Sequence, residues 1–525
     1  MKKFISIILV FSILIISAGC GKNDAQLIDD NYRNYYEVFV YSFYDSDGDG
    51  IGDLSGVSQK LSYIKNIGFD GIWLMPIMPS TTYHKYDVID YTDIDPEYGT
   101  IDDMKMLVEK SHKEGINIII DFVMNHSSSK HPWFENACEF LKTVDASDKR
   151  TVEELAEENQ YVGYYHFSKE KLNGTYYSVP GTDFYYEGSF WSEMPDLNYS
   201  SSKLKEEFER IADFWVGEIG VDGFRMDATM HFEEGDTNFN TDTMNWIYEY
   251  CKSINPDFYM VSEVWASEST IATYYQSKTD SLFNFDAADA EGKIIKCARG
   301  NTGVEKFVRA MKSYEDDFGA FYEDYIDAVF ITNHDMGRVC NALNSDENAM
   351  KFAAGLLMSM NGSSFVYYGE EIGMKSKGKK DENKRLPMLW GEEKGNTLGP
   401  IDADSDIEQK FPDAKEQLLN KTSILNYYKN ALEIRNSIPA IARGKIDIIE
   451  EVTEKNHAAI LKSYGNERVV ILYNNSVDEE YTFDFSDTEY KNFKIAASLT
   501  LDDSKIKMKK GSVVVPGRGI VYLVD

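Results

Sequence analysis

Cysteine is scarce and scattered. There are five in 525 residues, Cys20, Cys138, Cys251, Cys297 and Cys340, and no two form a CxxC pair. That spacing leaves zinc binding and dithiol redox chemistry without a ligand set. Positive charge is short as well: 54 Lys and Arg stand against 88 Asp and Glu, a net charge of −34. Such a surface repels phosphate backbones, so no nucleic-acid partner is expected. Beyond that, acidity mainly favours solubility. Internal repeats and low-complexity tracts are missing, so no repeat architecture is indicated. What remains is a chain that is 43% hydrophobic, long enough for a large core and for roughly two to four domains.

The first twenty residues stand apart. Lys2 and Lys3 precede an apolar run from Phe4 to Ile16, too short to span a bilayer comfortably and of the form of a signal peptide. It ends in Ser17-Ala18-Gly19-Cys20, which resembles a bacterial lipoprotein box with Ser where Leu is usual. The resemblance implies cleavage before Cys20, lipidation of that residue and export, with the lipid anchoring the protein to the bacterial membrane or cell surface. Residues 1–20 are then the lipoprotein signal segment, ending in the lipidated Cys20, and the polar residues 21–34 a tether.

From Tyr36 onward, strand-like runs alternate with amphipathic helical ones, the pattern of a parallel α/β fold. The strand candidates are Val38–Ser42, Gly71–Leu74, Asn117–Phe122, Val221–Arg225, Tyr259–Ser262, Leu282–Phe285, Ala328–Thr332 and Ser363–Tyr367. Eight of them predict a (β/α)8 barrel, a TIM barrel whose active site lies where its strands end. The barrel occupies 35–126 and 200–444. Residues 127–199 are an insertion too long to be a structureless loop. Ile424–Arg435 reads as the closing helix, with Trp390 in the loop after the eighth strand. Past Gly444, short alternating strands such as Ala458–Lys462, Val469–Tyr473 and Ser512–Val515 predict an antiparallel β-sandwich over 445–525.

Two stretches carry chemistry. In Gly223-Phe224-Arg225-Met226-Asp227, Arg225 and Asp227 share one side of a strand, because strand side chains alternate. The guanidinium would hold the carboxylate ionised and aimed; taken alone, the pair reads as a structural ion pair. The run Asp45-Ser46-Asp47-Gly48-Asp49-Gly50-Ile51-Gly52-Asp53 places oxygen donors at alternate positions with Gly50 for the turn, as a calcium loop requires. Asp45, Asp47, Asp49, Ile51 and Asp53 are the candidate Ca2+ ligands. Gly56 at the twelfth position excludes an EF-hand.

Five motifs then occur in order: Asp121-Phe122-Val123-Met124-Asn125-His126, Met194-Pro195-Asp196-Leu197-Asn198, Gly223 to His231, Val261-Ser262-Glu263-Val264-Trp265, and Thr332-Asn333-His334-Asp335. This set resembles the α-amylase superfamily of glycoside hydrolases (family 13), in its type intermediate between oligo-1,6-glucosidase and neopullulanase, to which the MPDLN motif points. The resemblance runs from about Tyr36 to the C-terminus. It implies that 127–199 is domain B and 445–525 domain C. It implies Asp227 as nucleophile, Glu263 as acid/base and Asp335 as a third carboxylate holding sugar hydroxyls. Retaining glycosidases need the first two roughly 5–5.5 Å apart. Val261 and Trp265 would give Glu263 an apolar setting that keeps it protonated. In Tyr83-His84-Lys85-Tyr86-Asp87, Tyr86 would stack on the sugar, supported by His84 and Asp87; Lys85 stands where relatives often have Gly. Asp121 would organise Arg225, His126 would bond a sugar hydroxyl, and Arg225 and His334 would stabilise developing charge. Part of the 14% aromatic content would then serve as stacking surface for sugars.

Ala228, where relatives specific for α-1,6 linkages carry Val, favours α-1,4 bonds. Met230 replaces a Lys that usually holds the sugar beyond the cut. The expected activity is that of an exported retaining α-amylase on starch and maltooligosaccharides, a monomer anchored to the membrane by its lipid. A 4-α-glucanotransferase, in which a sugar replaces water, shares the same residues. A glucan-binding lipoprotein without turnover would have no need of all three carboxylates.

Overall fold

A computed structural model describes residues 30–525. Cys20 and its leader, with residues 21–29 of the tether, lie outside the described residues. Eight parallel strands close a barrel: β1 (Asn34–Val38), β2 (Gly71–Leu74), β3 (Asn117–Phe122), β4 (Gly223–Met226), β5 (Tyr259–Ser262), β6 (Ser281–Phe283), β7 (Ile326–Phe330) and β8 (Ser363–Tyr367). Each strand pairs with its sequence neighbours and β8 returns to β1. Nearly every residue in these strands is buried, because the barrel interior lies on one face and a helical layer on the other.

The first strand differs from the expectation. The chain is extended over Asn34–Val38, while Val40–Ser42 turns out of the sheet as a 3-10 segment. A polar start misled the reading. Asn34 is fully buried, yet its amide meets Asp70 at 2.6 Å, and its side chain meets Asn436 at 2.6 Å and Arg435 at 2.9 Å. A buried polar residue is tolerated once its bonds are made. The fourth and sixth strands also differ from their expected bounds by up to two residues at an end, and the seventh by two at each end, ordinary for such boundaries.

Between β3 and β4 the insertion forms two helices, Pro132–Thr143 and Val152–Glu158, and a small three-stranded sheet. The bridge His126 to Asp196 stitches it to the barrel rim, and Tyr165 to Leu197 ties its two ends together internally. At the other end of the chain, a five-stranded and a three-stranded antiparallel sheet pack face to face. Alternation along Glu467–Asn474 explains how this domain is held. Val470 and Leu472 enter the sandwich core, whereas Val469, Ile471 and Tyr473 join the barrel's core. The molecule is therefore a (β/α)8 barrel with a C-terminal β domain.

Candidate active site

The site begins with register. Pairing of β3 with β4 sets Asp121 directly beside Arg225. Close approach of β4 to β5 requires Gly223, where a Cβ would stand 2.1 Å from the Tyr259 carbonyl oxygen. Arg225 is 1% exposed and one guanidinium serves three carboxylates. Nη1 reaches Asp121 at 2.8 Å and Asp227 at 2.6 Å, and Nη2 reaches Glu263 at 2.9 Å. The cation also lies over the Trp73 ring, 5.2 Å from its centre. Burial alone would favour the neutral guanidine, but Asp121 and Glu263 reverse that and hold it protonated.

Three buried acids against one buried cation leave excess negative charge, which drives protons onto the weaker acids. Burial raises Glu263; Asp227 and Asp335 raise it further, against the pull of Arg225 and of the Ala228 amide. That amide donates to Glu263 Oε2 at 3.0 Å. It is aimed there because Ala228 adopts a left-handed backbone, φ 49°, rare for a residue with a Cβ and a mark of functional sites. Thr229 Oγ1 donates to the Glu263 carbonyl at 2.6 Å. Trp265 does not enclose Glu263 as expected. It is 51% exposed and stacks on Phe285 with ring centres 4.9 Å apart, so burial of the carboxyl itself, not the indole, supplies the shift.

Asp335 completes the rim. His334 Nε2 lies 3.1 Å from its carboxylate and Arg385 Nη2 2.9 Å. Burial would raise this carboxyl, yet His334, then Arg385 and Arg225, hold it well below the usual carboxylate range. Tyr86 donates its hydroxyl to Asp121 at 3.0 Å and stacks on His334 with centres 5.7 Å apart. His126 is buried and burial lowers it to about 4, so the ring is neutral. Its Nε2 has no hydrogen-bond partner, which suits it to a ligand hydroxyl. His84 is likewise lowered to about 4 by burial and accepts the Tyr86 amide at 3.1 Å. Asp87 does not reach the cleft. It is fully buried, bonded to the hydroxyls of Ser80, Thr81 and Thr82, and shapes the turn that presents Tyr86. Lys85 takes φ 65° where a Gly would be at ease, and buries its ammonium 2.9 Å from Asp95 beside Glu97.

Asp45, Asp47 and Asp49 converge, each offering an oxygen within 4.8 Å of the others. Asp53 is not in that group. Its carboxylate accepts from Ser46 at 2.7 Å and 2.8 Å, and from the Gly56 amide at 2.7 Å as the N-cap of the helix Leu54–Ile67. The three converging carboxylates have no Lys or Arg partner among the described ion pairs, and hard oxygen donors without a counter-charge fit a calcium ion.

Sequence reasoning missed Glu37, Arg385 and Phe190. Glu37 bonds His334, Arg385 bonds Asp335, and Phe190 lies over both His126 and His231 with centres 5.4 and 5.1 Å away. Phe190 is 50% exposed, as is its neighbour Trp191 at 47%. An aromatic in a Gly- and Ser-rich loop was the one available signal for Phe190; nothing local marked the other two.

The comparisons with known proteins agree with this arrangement. A family described as alpha amylase, catalytic domain, matches residues 37–444. Alpha-amylase 3 of Dictyoglomus thermophilum is 37% identical over 503 residues, covering 92% of this chain and 93% of that protein. The solved structure of Eubacterium rectale Amy13B superposes with a TM-score of 0.91 at 40% identity, over 96% of this chain and 97% of that one. A 4-alpha-glucanotransferase of Thermotoga neapolitana is 28% identical over 369 residues, covering 68% and 76% of the two chains.

Proposed function

Since the chain belongs to the alpha-amylase family of glycoside hydrolases, we propose that it is a retaining α-amylase that cleaves α-1,4-glucosidic bonds of starch and maltooligosaccharides. The observation that carries this reading is the Arg225 fork, which bonds Asp227 at 2.6 Å and Glu263 at 2.9 Å. One planar group joining both carboxyls keeps them close, as a retaining pair must be. Asp227 attacks the anomeric carbon while Glu263, raised by burial, protonates the departing oxygen. Glu263 then takes a proton from water, which displaces Asp227 and restores both groups. Asp335, ionised between His334 and Arg385, binds sugar hydroxyls and favours the distorted ring of the transition state. Tyr86 and His126 hold the same sugar. Ala228, in place of the Val of α-1,6-specific relatives, supports the α-1,4 assignment.

A 4-α-glucanotransferase is the second reading, favoured by the exposed stack of Trp265 on Phe285, a surface on which an acceptor sugar could compete with water. Asp45, Asp47 and Asp49 would hold a calcium ion, joined by the Ile51 carbonyl, and the ion would neutralise their charge. Export and lipidation at Cys20 place the activity outside the membrane. A product time course on maltoheptaose tests the reading. Shorter products with rising reducing ends are expected. Longer products at nearly constant reducing ends would replace it with transfer, and binding without products would replace it with a glucan-binding role.

A further inference from the structure

Glu37 is a buried acid that the reaction itself does not use. It sits in β1, 1% exposed inside the barrel, below the ring of His334, which is equally buried. His334 Nδ1 lies 2.6 Å from Glu37 Oε1. On the other side of the ring, Nε2 lies 2.8 Å from the Tyr86 hydroxyl and 3.1 Å from Asp335. The hydroxyl donates to Asp121 at 3.0 Å, so toward His334 it can only accept. Asp335 is an acceptor too. With the hydroxyl so directed, both ring nitrogens face acceptors, an arrangement that a doubly protonated ring satisfies.

Resting on the reading above, we propose that Glu37 is a positioning residue for glucan cleavage: its charge keeps His334 doubly protonated, and the imidazolium fixes Tyr86 and Asp335 against the sugar. The groups facing His334 come from every neighbouring strand end. Glu37 lies on β1, Trp73 on β2 with its ring 5.6 Å away, and Tyr86 on the loop after β2. Asp121 on β3 and Arg225 on β4 lie beyond Tyr86, Asp335 is next in chain, and Arg385 crosses the His334 carbonyl at 3.4 Å. Asp335 and Glu37 are the acids in direct contact, and they outweigh burial to raise His334 to about 9. Asp335 is committed to the substrate and exposed to it. Glu37 is enclosed beneath the ring: burial raises its carboxyl and the facing His334, with Arg225, opposes that, so the charge of the pair depends on their mutual contact and not on a bound glucan.

The test is Glu37→Gln, which keeps an acceptor oxygen and the volume but removes the charge. His334 is followed by NMR titration of the imidazole without substrate, and kcat/KM on maltoheptaose is followed against pH. In the wild type His334 should remain charged through pH 8. In E37Q its midpoint should fall toward the ordinary value of about 6.5. The ratio of wild-type to E37Q activity should grow at least about tenfold between pH 6 and pH 8.5, because only the variant loses the imidazolium in that range. A ratio independent of pH, or an unmoved His334 midpoint in E37Q, overturns the proposal and leaves Glu37 as packing. If E37Q does not fold, a wild-type midpoint at or below the ordinary value overturns it equally. The titration needs no turnover, so a protein inactive on every glucan would count against the α-amylase reading and not against this coupling.

Discussion

At the scale of single residues, the site is an exercise in sharing one cation. Arg225 lowers Glu263, while Asp227 and Asp335 raise it. The sign of each removal follows. Asp335→Asn takes away a negative neighbour, so Glu263 should lose its proton at lower pH, and the alkaline limb of the residual kcat should move down. The loss at optimum should be about 10²-fold or more, the usual scale for one transition-state contact. A limb that stays in place would mean that Asp335 does not sense Glu263. Asp227→Asn should reduce turnover by more than about 10³-fold with folding and glucan binding retained; substantial residual hydrolysis would remove Asp227 from the nucleophile's role. These carboxylates were legible in the sequence because each lies within a motif, Asp227 and Glu263 directly after a strand and Asp335 in the loop beyond one. Glu37 and Arg385 were not, since their partners lie roughly 300 and 50 positions away along the chain and only closure of the barrel brings them together.

At the scale of elements, loops decide what the catalytic pair acts upon. With Met230 in place of a cation, the leaving-group side would, on the proposed reading, be built from rings. Trp265 follows β5 and Phe190 belongs to the insertion, and both are about half exposed. Aromatic faces that core packing does not explain offer stacking surface worth about 1 kcal/mol each. Trp265→Ala should therefore raise KM for maltoheptaose about fivefold and suppress transfer products. Hydrolysis of an aryl α-glucoside, which places no sugar there, should change little. Equal loss on both substrates would place Trp265 in the support of Glu263 instead. The sequence suggested the reverse, an indole covering the acid, because proximity along a chain does not say which way a side chain turns after its strand ends. Core strands were easier to read, being apolar on both faces. The start of β1 was not, since Asn34 is buried through bonds to Asp70, Asn436 and Arg435 that no local pattern announces.

For the molecule as a whole, a net charge of −34 makes every cluster of acids a source of strain unless something offsets it. Two runs of alternating Asp show two solutions. Asp404 and Asp406 are met by Lys377, and Lys380 also reaches toward Asp404. Asp45, Asp47 and Asp49 converge near the first barrel strand with no such lysine among the described residues, the arrangement that a divalent cation would complete. Saturating calcium should then stabilise the fold by about 2.7 kcal/mol at one hundred times its Kd. Verified chelation should lower Tm by about 2–5 °C, restored by Ca2+ and poorly by Mg2+, whose smaller shell demands stricter geometry. Asp47→Asn combined with Asp49→Asn should abolish that response while leaving the chelated Tm unchanged or higher, because two repelling charges are gone. Asp53→Ala should behave differently. It removes the cap of Leu54–Ile67 and the ties to Ser46, so it should cost about 1 kcal/mol even in chelator. If the double variant lowers the chelated Tm as much as chelation does, the loop is held by its own hydrogen bonds and no calcium is needed; an unchanged wild-type Tm after metal removal would say the same.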